Sequence, residues 1–144
     1  MKKRIVWFVV CLMMTVGLVA CGGGDDSAAP APTGSVTVSG DYSGTFVPYS
    51  RPTSATAYSG YRTITWANTA GDVLFVYSYT PSTGIPNGIN VHVPGGTIYY
   101  ETRYNNNVVG VSMNMAAKTV TFNNAVVTAS GGLSATLNGT LYYN

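Results

Sequence analysis

"DVLFVYSYT", Asp72–Thr80, decides the fold. Val73-Leu74-Phe75-Val76 is apolar on both faces, and Tyr77-Ser78-Tyr79 then alternates. Such a run is too short for an ordinary buried helix and rich in β-formers, so it predicts a central strand. Its flanks agree. Gly71-Asp72 before it and Pro81-Ser82-Thr83-Gly84-Ile85-Pro86-Asn87-Gly88 after it carry strong turn chemistry.

The same grammar runs outward in both directions. Upstream, Val36–Val47 predicts one long strand or two short ones with a break at Gly40, and Tyr58–Trp66 predicts another. Downstream, Ile89, Val91 and Val93 share one face, and Pro94-Gly95-Gly96 turns. Thr97–Tyr104 places Ile98, Tyr100 and Tyr104 on one face, and Tyr99, Glu101 and Arg103 on the other. Asn105-Asn106-Asn107 turns. Val109, Val111, Met113 and Met115 alternate, and Ala116-Ala117-Lys118 turns. Val120 and Phe122 lead a strand in which Asn123-Asn124 predicts a bulge. Ser130-Gly131-Gly132 turns, and Leu133, Ala135, Leu137, Gly139, Leu141 and Tyr143 finish the chain. Period two throughout marks half-buried antiparallel strands. The expected fold is all-β: about eight strands, mainly in meander order, forming a small antiparallel barrel or sandwich. The pair "GTIYY" (96–100) and "GTLYY" (139–143) reads as recurring strand-entry chemistry rather than a repeat, because the flanking residues do not align.

The first 35 residues follow a different logic. Met1-Lys2-Lys3-Arg4 is basic, and Ile5–Ala20 has no charge. That run is short for a membrane span, which needs roughly 20 apolar residues. It fits the n- and h-regions of a signal peptide, 1–20, expected to form a helix. Leu18-Val19-Ala20-Cys21 then resembles the lipobox of bacterial lipoproteins. The resemblance implies signal-peptidase recognition through Leu18, Val19 and Ala20. It also implies a diacylglyceryl group on the Cys21 sulfur and an acyl group on its new amino terminus. Those lipids are the one non-protein component expected; no cofactor is. Two or three acyl chains would hold the protein on a membrane, since one chain alone holds only marginally. Residues 21–35, with Gly22-Gly23-Gly24 and Pro30 and Pro32, read as a flexible tether, and 36–144 as the β domain. In enterobacterial lipoproteins an aspartate after the cysteine favours inner-membrane retention. Gly22 stands there instead, which implies the cell envelope with the outer membrane favoured.

Composition excludes much. After Gly34 the acids are Asp41, Asp72 and Glu101 and the bases Arg51, Arg62, Arg103 and Lys118, a net charge of +1. A near-neutral domain has no electrostatic footprint for nucleic acid. Cys11 and Cys21 are the only cysteines, so no thiolate metal site follows them. His92 is the only histidine and lies opposite the Ile89/Val91/Val93 stripe, as a solvent-facing strand residue would. No metal site and no catalytic residue is expected. The three acids are far apart in sequence, and no Gly-x-Ser-x-Gly elbow or phosphate loop occurs.

Tyrosine is the conspicuous surplus, 11 of 144 residues. Trp66, Tyr99, Arg103 and Tyr142 are the candidate binding face, because rigid aromatics give contact area at low entropic cost. The expected function is a non-catalytic binding or structural role on an envelope protein or a glycan. The alternative is a carrier of a small hydrophobic ligand. Ser39-Gly40-Asp41-Tyr42-Ser43-Gly44-Thr45-Phe46 resembles the Gly-x-aromatic opening of lipocalin-like barrels, which would imply a hollow interior.

Overall fold

The computed structural model describes residues 31–57, 60–102 and 108–144. The lipobox, Arg103, Tyr104 and Tyr58 lie outside the described residues. Ten strands form: β1 Gly34–Gly40, β2 Gly44–Phe46, β3 Ala55–Thr56, β4 Arg62–Ala67, β5 Val73–Tyr79, β6 Pro86–His92, β7 Ile98–Thr102, β8 Val111–Asn114, β9 Thr119–Thr128 and β10 Ser134–Tyr142. A 3-10 turn, Ser130–Gly132, joins the last two.

All pairings are antiparallel, in the order β2-β1-β10-β9-β7-β6-β5-β4-β3, with β8 also on β9. The link between β9 and β7 is one residue pair, Thr128 with Tyr100. It divides the path into two five-stranded sheets, one of β1, β2, β8, β9 and β10 and one of β3 to β7. These fold face to face as a sandwich. The path ends at β2 and β3, so the barrel alternative is not the fold. The order is a meander except that β1 joins the last strand, β10, and β8 leaves the main path. The long Pro81–Gly88 loop expected from sequence is shorter, since β6 starts at Pro86.

The sandwich forms because alternation gives each strand one apolar face. Val36 and Val38, Ile64 and Trp66, Ile89 and Val91, Val120 and Phe122, Leu137 and Leu141 are all buried. Phe75 of the central β5 ties the sheets together. Its ring meets Phe46 of β2 edge-on at 5.3 Å and Phe122 of β9 at 5.9 Å. The expected bulge is present. Leu137 pairs with Ala125 and Gly139 with Phe122, so Asn138 faces Asn123 and Asn124. Asn124 takes φ 51°, a conformation asparagine tolerates, and its N–H donates to Asn138 Oδ1 at 2.9 Å.

The register also settles the "GTIYY" and "GTLYY" pair. Ile98 is exposed where Leu141 is buried, and Tyr99 is buried where Tyr142 is half-buried. The two segments face opposite ways, as unrelated strands do.

Loops guard the outer edge of β4. The Tyr49 N–H donates to the Ala67 carbonyl, and β3 pairs further along at Thr63 and Arg62. Pro48 and Pro52 lie in this covering segment and lack donors that could recruit another strand.

Candidate functional site

At one end of the sandwich the chain enters β1. Thr33 accepts from the Tyr142 N–H, Pro32 accepts from Arg51 Nε at 2.7 Å, and the Asn144 N–H donates to the Pro52 carbonyl. Pro32, Thr33 and Gly34, within the segment read as tether, thus bond to the sandwich.

Trp66 and Tyr142 meet at this end. Trp66 is fully buried, and its Nε1–H donates to the Tyr142 carbonyl at 2.8 Å. The bond joins β4 of one sheet to β10 of the other. Tyr142 is half-buried, with the Arg51 guanidinium 4.8 Å from its ring centroid. Trp66, read from sequence as part of a binding face, is instead a core residue, since it shares a strand face with buried Ile64.

Tyr99 is a correction. Sequence places it outward, yet it is 2% exposed while Ile98 is 44% exposed. The turn decides this. The Val93 N–H donates to the Thr97 carbonyl, which leaves three residues in the loop. Val91 then pairs with Tyr99, and directly opposed residues share a face. Val91 is buried, so Tyr99 is too. A turn one residue shorter would have reversed every side chain of β7. The candidate face is therefore not assembled: Trp66 and Tyr99 are interior, Tyr142 is at the chain-entry end, and Arg103 is outside the described residues.

Besides Tyr99, three more tyrosines build the interior. Tyr77, Tyr79 and Tyr143 are all buried, and the first two rings stack at 5.9 Å. Burial pushes the Tyr77 hydroxyl well above the usual tyrosine range, helped by Tyr143 and Tyr79. Burial, with Tyr79 beside it, also raises Tyr143, and Lys118 Nζ stands 5.4 Å from that ring's centroid.

Two grooves that sequence did not single out adjoin the β6–β7 turn. The first, of about 340 Å³, lies between the β4–β5 and β6–β7 turns. Asn68, Asp72, Leu74, His92, Val93 and Pro94 line it. Asn68 organises one wall. Its Oδ1 accepts from the Ala70 and Asp72 N–H groups, and its Nδ2 donates to Asp72 Oδ2 at 3.0 Å. Such an Asx turn holds the Asp72 carboxylate at the rim. His92, which alternation assigned to solvent, stands half-buried on the other side.

The second groove, of about 590 Å³, is lined by Asn90, Thr97, Ile98, Ala129, Ser130 and Leu133. It opens where the two sheets part. Beyond Thr128 the chain leaves β9 for the 3-10 turn, so β7 has no further ladder partner there. Ile98 and Leu133, 44% and 41% exposed, give it apolar walls. Gly96 borders both grooves, and the Pro94–Gly96 turn is the ridge between them. Nearby, Asp41 Oδ2 accepts from the Ser134 N–H at 2.7 Å, and the Asp41 N–H donates to the Ser134 carbonyl. Asp41 is thus a clamp for the start of β10.

These grooves supply hydrogen-bonding groups beside apolar surface, a pairing suited to binding. Among the described residues no three of His, Cys, Asp and Glu gather closely enough to hold a metal ion. No protein-family model, curated protein or solved structure matches the chain.

Proposed function

We propose that this chain is a lipid-anchored cell-envelope lipoprotein, held through Cys21, whose β-sandwich binds an envelope protein or a glycan without catalysis. The observation that carries this reading is Leu18-Val19-Ala20-Cys21 behind a charge-free run and ahead of a glycine-rich tether. The outer membrane is the favoured address, because Gly22 follows the cysteine.

The chain enters at Gly34, beside Leu141, while the second groove lies by Ser130 and Leu133, next to Ser134 at the other end of β10. β1 spans that distance, about 20 Å at roughly 3.3 Å per residue. Trp66, Phe75, Tyr77, Phe122 and Leu137 fill the space between the sheets, which supports surface binding over carriage in a lumen.

The test is metabolic labelling with an alkyne palmitate in a Gram-negative host. The wild-type chain should take up label and fractionate with outer membrane. Cys21→Ser should do neither. An unlabelled wild-type chain would overturn the anchor. In the same cells, benzoylphenylalanine at position 98 should give crosslinked adducts that the same probe at position 118, at the entry end, does not. Equal adducts at both would remove the grooves as the binding surface.

A further inference from the structure

Met113 and Met115 are the only methionines after Cys21, and they stand two apart at the end of β8 and the turn beyond it. Residues at that spacing on a strand point to one side. Here that side meets the β5–β6 loop at Gly84. A Cβ placed on Gly84 would lie 3.6 Å from Met115 Sδ and 3.7 Å from Met113 Sδ. Both sulfurs thus lie within van der Waals reach of Gly84, and a cation held by both requires the two flexible thioethers to rotate toward each other. Gly84 itself is buried beneath them, while Met115 is 39% exposed and Met113 half-buried.

We propose that Met113 and Met115 form a surface site for a soft monovalent cation, Cu(I) or Ag(I), bound by two thioether sulfurs above Gly84. Met113 packs against the core from edge strand β8, while Met115, in the turn beyond, is 39% exposed. Thioethers select soft d¹⁰ cations and bind Mg²⁺ or Ca²⁺ hardly at all. Two nearby side-chain oxygens already accept hydrogen bonds. Thr83 Oγ1 accepts from the Ile85 N–H, and Asn114 Oδ1 accepts from the Ala117 N–H. That leaves the site with sulfur character. His92, the only histidine, belongs to the groove at the other end. The pair is held from two directions. Met113 pairs with Val120 in the ladder, and the Gly84 N–H donates to the Thr80 carbonyl, which fixes the loop below. Glycine at position 84 has φ 71° and keeps the approach to both sulfurs clear of a side chain.

The test is an anaerobic NMR titration of the full chain in detergent micelles with methyl-labelled methionine. Cys11→Ser, Cys21→Ser, Met13→Leu and Met14→Leu remove four of the five competing soft donors near the N-terminus, and the Met1 methyl signal is followed as an internal control. Silver nitrate, then Cu(I) kept reduced with ascorbate, should shift the Met113 and Met115 methyl signals together, saturating at one equivalent. Zn²⁺ should not. Met113→Leu and Met115→Leu should each weaken binding at least tenfold with an unchanged amide spectrum, since leucine conserves volume. Met115 is exposed enough that its variant decides the matter even if Met113→Leu disturbs β8. Separate or unsaturable shifts, or undiminished affinity in Met115→Leu, would overturn the proposal.

Discussion

Gly139→Ala should be far more damaging than its one added methyl suggests. Gly139 sits mid-strand in β10, just past the bulge, between Val36 of β1 and Phe122 of β9. Its φ is 142°, which side chains rarely adopt. An added Cβ would overlap the Ser35 carbonyl oxygen and lie 2.9 Å from Val36 Cα. Both neighbours are backbone, so no flexible side chain can yield. The backbone strain is about 1–3 kcal/mol. Pushing β1 away loosens about two ladder hydrogen bonds at roughly 1 kcal/mol net each. Reduced freedom of the unfolded chain returns about 0.4–1 kcal/mol. The net loss is about 2–4 kcal/mol, a large share of the roughly 5–15 kcal/mol typical of a domain. At about 4–8 °C per kcal/mol, Tm should fall by at least about 10 °C. Gly131→Ala is the control. It has φ 86° but nothing within 4 Å of the added Cβ, so it should cost about 1 kcal/mol or less. Urea melts followed by Trp66 fluorescence, in a Trp7→Phe background, measure both. A Gly139→Ala protein within 1 kcal/mol of its parent would refute the reasoning.

Trp66→Phe should cost about 2–4 kcal/mol in urea melts followed by circular dichroism, because it removes the donor to the Tyr142 carbonyl and leaves space between the sheets. Tyr77→Phe should be neutral or stabilising by up to about 1 kcal/mol, because the Tyr77 hydroxyl is buried without a hydrogen-bond partner among the described residues. The same residue predicts alkaline sensitivity. Its folded pKa lies above its unfolded value near 10, so above pH 10 the unfolded chain releases the proton first. Stability should be full below about pH 10 and decline above it by at most about 1.4 kcal/mol per pH unit from this group. Tyr77→Phe should flatten that decline in melts between pH 9 and 11. Asp41→Ala should speed amide exchange at Ser134 and leave the middle of β10 protected.

Much of the molecule was legible in its residues. Asp72–Thr80 reads as a central strand because apolar side chains on both faces need cover on both sides, and β5 lies between β4 and β6 within its sheet. Asn123-Asn124 reads as a bulge because asparagine tolerates the left-handed conformation that Asn124 adopts. Alternation alone sends Ala135, Leu137 and Leu141 inward, where they are found, whereas Trp66, read as part of a binding face, is buried. The grooves were not legible. Their walls come from residues as remote as Asn90 and Leu133, and no local pattern announces which turns share an end.

Local chemistry by itself therefore determined the strand-and-turn text, the near-neutral charge and the lipobox resemblance, because each rests on residues adjacent in the chain. Three things waited on the tertiary structure. The choice of sandwich over barrel depended on how the two sheets join, a single Thr128–Tyr100 pair. The burial of Tyr99 depended on the length of one turn, since a strand's two faces exchange with each residue of register. The convergence of Met113 and Met115 over Gly84 depended on β8 and the β5–β6 loop meeting across about 30 residues of chain, a contact that only packing creates.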